Sequence, residues 1–176
     1  MRLFDYIQQG GTIMYILLFL NIIGISIMLT KFVILRREDK NVDQTSDELK
    51  DKILRSLPNN EPQTMIEMSK QELASHMTSV EKGLNTVKII AAVSPLLGLL
   101  GTVIGVFLAF KVMGQTGLNS PSMFAKGISM ALLTTVGGMI VAIPHYIGHS
   151  YLLGMVDSIE GHLEKRILMK VVKGER

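Results

Sequence analysis

Three apolar runs without a charged side chain divide the chain: Thr12 to Thr30, Ile89 to Phe110 and Gly127 to Val156. As a helix the second is about 33 Å long, enough to cross the hydrocarbon core of a bilayer. Small residues mark one side of it. Ala91, Pro95, Gly98, Thr102, Gly105 and Ala109 follow at steps of four and three, which places them on one helix face. Gly127, Ala131, Thr135, Gly138, Ala142, His145 and His149 repeat the pattern in the third run. Small faces let helix backbones approach closely in lipid, and the threonines add hydroxyls to each stripe. The short segment Lys111 to Lys126 joins the two runs, so they are expected to lie antiparallel. Thr102 is eight residues from Phe110, and Thr135 is eight residues from Gly127. This predicts both threonines at one depth, roughly 12 Å from the same membrane face.

The polar stretches continue the helical pattern. The first run ends at Lys31, which is placed to snorkel, and Arg36 and Arg37 follow. Its positive cluster comes after the apolar run and no small-residue cleavage site is visible, which predicts an uncleaved first transmembrane helix. Asn41 to Ser46 reads as a linker, Asp47 to Leu57 as a short helix, and Pro58 to Pro62 as a turn. Leu73, Met77, Val80, Leu84 and Val87 then form an apolar stripe at steps of four and three. It predicts one long helix running through Gly83 into the second span. Val156, Ile159, Leu163, Ile167 and Val171 extend the third span in the same way. Both stripes suit a solvated helical bundle better than a membrane-surface or calmodulin-binding helix.

The expected fold is an all-α membrane protein with three transmembrane helices, spans two and three extending beyond the membrane as long helices. Its parts are residues 1–36 (N-terminal segment and first span), 37–86 (helical region), 87–156 (second and third spans with a short loop) and 157–176 (C-terminal helix). Composition agrees: 48% of the 176 residues are hydrophobic and mean hydropathy is +0.35. There is no cysteine, which excludes a disulfide framework and thiol chemistry. The sequence pI of about 9.2 raises nucleic acid as a partner, but the basic residues lie beside the spans, where topology explains them. Ten Lys or Arg fall between Lys31 and Lys88 and five between Asp157 and Arg176, against Arg2, Lys111 and Lys126 on the other side. The polar loop and C-terminus are therefore expected in the cytoplasm, with the N-terminus and the 111–126 loop outside.

No soluble-enzyme motif occurs: no P-loop, no His-Glu-x-x-His and no Gly-x-Ser-x-Gly. No enzyme activity, cofactor or metal is expected. His145 and His149 are four apart but have no obvious third ligand; interfacial packing is the plainer reading, and Pro144 before them is a candidate kink. The missing carboxylate is more informative. Proton relays through membranes use Asp, Glu or His, and none of the three runs contains an acid. Ser94, Thr102, Ser129, Thr134 and Thr135 can hydrate a passage or bond helix to helix; the residues alone leave both open. Two small-faced helices cannot enclose a pore in one subunit, which favours a ring of subunits around a further element.

Ser94-Pro-Leu-Leu-Gly-Leu-Leu-Gly-Thr-Val-Ile-Gly105, followed by Gly127-Ile-Ser-Met-Ala-Leu and by Thr135 to Ala142-Ile-Pro144, resembles the ExbB/TolQ/MotA proton-channel family. Three spans are more similar to ExbB and TolQ than to four-span MotA. The resemblance implies a multi-pass protein of the bacterial inner membrane, and a homopentameric ring around the single transmembrane helices of an ExbD- or TolR-like partner. That partner supplies the proton-carrying aspartate. Proton motive force would then be passed to a TonB- or TolA-like protein to energise outer-membrane transport. Thr102 and Thr135 match the family's threonines and, with Thr134, are the expected proton-path lining. Pro95, Gly98, Gly101, Gly105, Gly138 and Pro144 are the expected helix-packing positions. Met130 stands where the ExbB/TolQ branch usually has Glu, so that glutamate's role is not carried over. The alternatives are a TolQ-like subunit of the Tol-Pal envelope system and a non-conducting membrane scaffold. A small secondary transporter is disfavoured by the absence of inverted repeats and intramembrane charges.

Overall fold

A computed structural model describes residues 3–56, 62–116 and 121–172, and within them the chain is helical apart from short joints. Six helices follow in order: α1 (Leu3–Gln9), α2 (Gly11–Lys40), α3 (Val42–Ser56), α4 (Pro62–Glu81), α5 (Leu84–Thr116) and α6 (Pro121–Val172). Three of them, α2, α5 and α6, are long and apolar enough to cross a membrane. Pro62 and Pro121 open α4 and α6, where a missing N–H costs nothing and a fixed φ favours the first turn. Pro95 and Pro144 lie inside α5 and α6.

The joints differ from the sequence expectation in three places. The linker expected over Asn41 to Ser46 shrinks to Asn41 alone. The Asn41 amide bonds the carbonyls of Arg37 and Glu38 at 3.1 and 3.0 Å, and the Thr45 amide bonds Asn41 at 3.0 Å. The backbone keeps turning because Val42, Ser46, Leu49 and Ile53 form a buried stripe that begins before Asp47. The long helix expected through Gly83 is interrupted there. Gly83 has φ +98°, a conformation that closes a helix C-terminus and that only glycine adopts freely. Lys31 Nζ donates to Val80 O at 2.9 Å, filling a carbonyl that the end of α4 leaves free. Finally, α5 runs on to Thr116 and α6 starts at Pro121, so most of the expected 111–126 loop is helix. Of the predicted Pro58–Pro62 turn, residues 58–61 lie outside the described residues.

Two compact units divide the chain. The first takes residues from Met1–Ile27 and Thr86–His149, the second from Met28–Asn85 and Ser150–Arg176. In the second unit the sequence stripes become the core. Leu73, Met77, Val80 and Leu84 pack with Val156, Ile159, Leu163 and Ile167, joined by Leu35, Val42, Leu49, Ile53 and Leu152. Burying each such side chain stabilises the fold by roughly 1.5–3 kcal/mol. The Val171 side chain lies outside what is described. At the rim, Asp39, Asp43 and Asp47 meet His162, Arg166 and Lys170. Both series advance by four, one helical turn, so the ladder fits only a parallel pairing of α2 and α3 with α6. His76 meets Glu38 at 2.9 Å and Lys52 meets Glu72 at 2.5 Å. Exposed pairs of this kind contribute about 0–1 kcal/mol each, so their main effect is on register.

In the first unit, Ile13, Leu17, Ile90 and Val141 form a small core with Leu20, Ile23 and Leu97 beside it. Gly11, at φ +65°, turns the chain from α1 into α2.

Candidate functional site

The first unit is built on the seam between α5 and α6, which run antiparallel with backbones nearly touching. A Cβ placed on Gly98 would lie 2.9 Å from Thr134 O and 3.1 Å from Thr135 Cα. On Gly138 it would lie 2.6 Å from Ser94 O, and on Gly105 2.8 Å from Gly127 O. On Gly101 it would overlap the Thr134 side chain. At these four positions backbone stands against backbone or against a threonine, so no side chain fits.

The buried face of α5 is Ala91, Ser94, Gly98, Gly101, Gly105 and Ala109. It is turned slightly from the stripe counted in the sequence. Pro95 is exposed and Thr102 half-exposed; Ser94 and Gly101 take their places. Two tracks of small residues share Ala91, Gly98, Gly105 and Ala109. Contact selects the one through Gly101, because Thr134 presses where a side chain would be. Pro144, also expected to pack, is exposed.

The hydroxyls are distributed along this seam. Thr134 is fully buried and donates to Ala131 O at 2.8 Å; in the single chain it opens onto no passage. Thr135 is half-buried and donates across the seam to Gly98 O at 3.3 Å. Thr102 donates within its own helix to Leu99 O at 2.5 Å and faces outward at the margin. Ser94 is buried and donates to Ile90 O at 2.6 Å. The equal depth expected for Thr102 and Thr135 is not kept. With Gly98 against Thr135, Gly101 against Thr134 and Gly105 against Ala131, Thr102 lies level with residues 132–133. The two threonines are thus about three residues apart in depth, ~4.5 Å. The sequence count failed because it assumed that the spans begin at the same level.

Met130 does not face the seam. Its Cε lies over Gly11, 2.9 Å from where a Cβ would be, so position 130 packs on the corner between α1 and α2. His145 is fully buried. Its Nδ1 lies 2.7 Å from Val141 O, and its Nε2 edge fills the space that a side chain on Gly24 of α2 would occupy. His149, one turn on, is half-buried. Among the described residues no group of three or more His, Asp or Glu is placed to hold a metal ion. Sequence reasoning missed Gly24, although a lone glycine within the isoleucine-rich Asn21-Ile-Ile-Gly-Ile25 marks a place where another element comes close.

The profile of the MotA/TolQ/ExbB proton channel family matches residues 41–165, which takes in the whole seam. The chain belongs to this family. Its relatives place it on the ExbB side. It is 41% identical over 81 residues to an ExbB homolog of Methanothermobacter thermautotrophicus, a stretch covering 46% of this chain and 28% of that protein. It is 40% identical over 83 residues to an ExbB-type biopolymer transport protein of Vibrio cholerae, covering 47% and 36%. With ExbB of Aquifex aeolicus it shares 34% over 107 residues, covering 61% and 66%. The chain thus spans between about a quarter and two thirds of the length of these relatives. With three membrane-length helices and this membership, it is an ExbB-like multi-pass membrane protein. Gly24 lies outside the family match, whereas the seam, Met130 and His145 lie within it.

Proposed function

We propose that the chain is the proton-channel subunit of an inner-membrane motor of TonB type. One observation carries the reading: the first unit presents hydroxyls along a small-residue seam, yet none of its apolar runs holds a carboxylate. Its α5–α6 pair can pack and hydrate but has no carboxylate to bind and release the transported proton, so that carboxylate comes from elsewhere. An ExbD-like partner with one transmembrane helix and an aspartate supplies it. Several copies of this chain, five by family resemblance, ring the partner's helices in the bacterial inner membrane. The N-terminus and the α5–α6 connection face outside, and the polar segment 37–86 and the C-terminal stretch 157–176 face the cytoplasm. Thr102 and Thr135 are the hydroxyls nearest the lumen, while Thr134 seals the seam behind them. Proton flow is passed as motion to a TonB-like protein that energises outer-membrane transport.

A non-conducting scaffold has one observation on its side, since Thr134 and Ser94 are already bonded within their own helix. A TolQ-like role in the Tol-Pal system differs only in the partner. Co-purification with a single-span, aspartate-bearing neighbour, followed by proton flux in liposomes, separates these readings. Flux that needs the partner's aspartate supports the channel. A stable complex that conducts nothing supports the scaffold. Stable capture of a TolR-like partner in place of an ExbD-like one moves the chain to the Tol-Pal system.

A further inference from the structure

We propose that His145 is a proton-binding site of this chain's own, and that its protonation opens the contact between α2 and α6 at Gly24. The geometry fixes the protonation pattern of the closed state. Val141 O can only accept, so Nδ1, 2.7 Å away, carries the ring proton. Nε2 is then the basic nitrogen. It is buried and has no hydrogen-bond partner among the described residues, and it is pressed against Gly24, where even a methyl group would overlap the ring. An unpartnered lone pair in this place is costly. A proton on Nε2 would be worse, because it would create a buried cation with a donor and no acceptor. The closed contact therefore admits only the neutral ring.

Protonation and closure exclude one another, and by linkage each biases the other. Opening α2 exposes Nε2 and favours its protonation, while proton uptake drives α2 away from α6. The surroundings supply nothing to neutralise the charge. From Thr12 to Thr30 α2 has no ionisable side chain except Tyr15, which is exposed. From α5, Ile90 reaches the same pocket. Lys88, the nearest ionisable group on that helix, stands within electrostatic reach of His149, one turn on from His145.

The functional consequence rests on the proton-channel reading: His145 couples proton arrival to movement of α2. The proton binding itself does not require that reading. The test is a titration of the uniformly ¹⁵N-labelled full chain, assembled with its partner in nanodiscs, with the His145 ring signal assigned by its loss in His145→Phe. Between about pH 8 and pH 5, the interval in which imidazoles change charge, Nε2 should become protonated while the amides of Ile23 to Ile25 shift in step. Gly24→Ala, which prevents closure, should hold the amides of Ile23 and Ile25 in their low-pH positions throughout the titration. A ring that stays in one neutral form throughout overturns the proposal. So does a titration without response in α2, or α2 amides in Gly24→Ala that follow the titration as in the wild type. Proton flux measured on the same samples reports separately on the channel reading, so that failure of either is recognised without the other.

Discussion

At the residue scale, the proposed conduit has two hydroxyls, Thr102 and Thr135, facing the partner's acid. Thr102→Val with Thr135→Val keeps shape nearly constant and removes both. A carboxylate facing apolar walls holds its proton more tightly, so proton release slows. Proton-driven activity should fall at least several-fold, while oligomer and partner content, checked on the same sample, stay at wild-type level. Unchanged activity would make these threonines helix glue alone. Thr134→Val removes a buried hydroxyl bonded only within its own turn, so it should leave flux near wild type. The hydroxyls were legible as residue types at helical spacing, and so was the missing acid. Which way each side chain turns was not. Thr102 and Pro95 lie at the margin because two tracks of small residues fit one helix face, and only contact with Thr134 chooses between them. Position 130 was read by its place in a motif, but Met130 is turned toward Gly11 by the α1–α2 corner, which nothing in its own motif announces.

At the element scale, the seam and the joints carry the predictions. Gly98→Leu or Gly138→Leu puts a large side chain where backbone atoms stand within about 3 Å of the added Cβ. Either should separate α5 from α6 and abolish the native oligomer in detergent. Retention of the oligomer, the partner and activity would show that the seam tolerates what its geometry forbids. Gly83→Ala forces a side chain onto a left-handed backbone at φ +98° and should cost about 1–2 kcal/mol, read as a lower midpoint of thermal unfolding. The stripes Leu73 to Leu84 and Val156 to Ile167 of the second unit's core were legible, because 3.6-residue periodicity survives any arrangement of the helices. Helix ends were not. Lys31 closing the end of α4, and a core stripe that starts at Val42 rather than after Asp47, are decisions made between elements distant in sequence.

At the scale of the whole molecule, charge sets the proposed orientation. A reporter fused near residue 59 should read cytoplasmic and one near residue 119 periplasmic; reversed signals would overturn the topology. The three membrane-length helices followed from the three apolar runs alone. The division into two units did not, because each unit draws on separated stretches of chain and α2, α5 and α6 each contribute to more than local structure. The central claim is that this chain forms the conduit and a partner brings the acid. Proton flux into liposomes carrying the purified complex tests it most directly, using wild type, the partner's aspartate changed to asparagine, and the Thr102→Val, Thr135→Val double variant. The account predicts flux in the wild type, none without the aspartate, and a several-fold reduction with intact assembly in the double variant. Equal flux from all three samples, or from this chain without any partner, would contradict it.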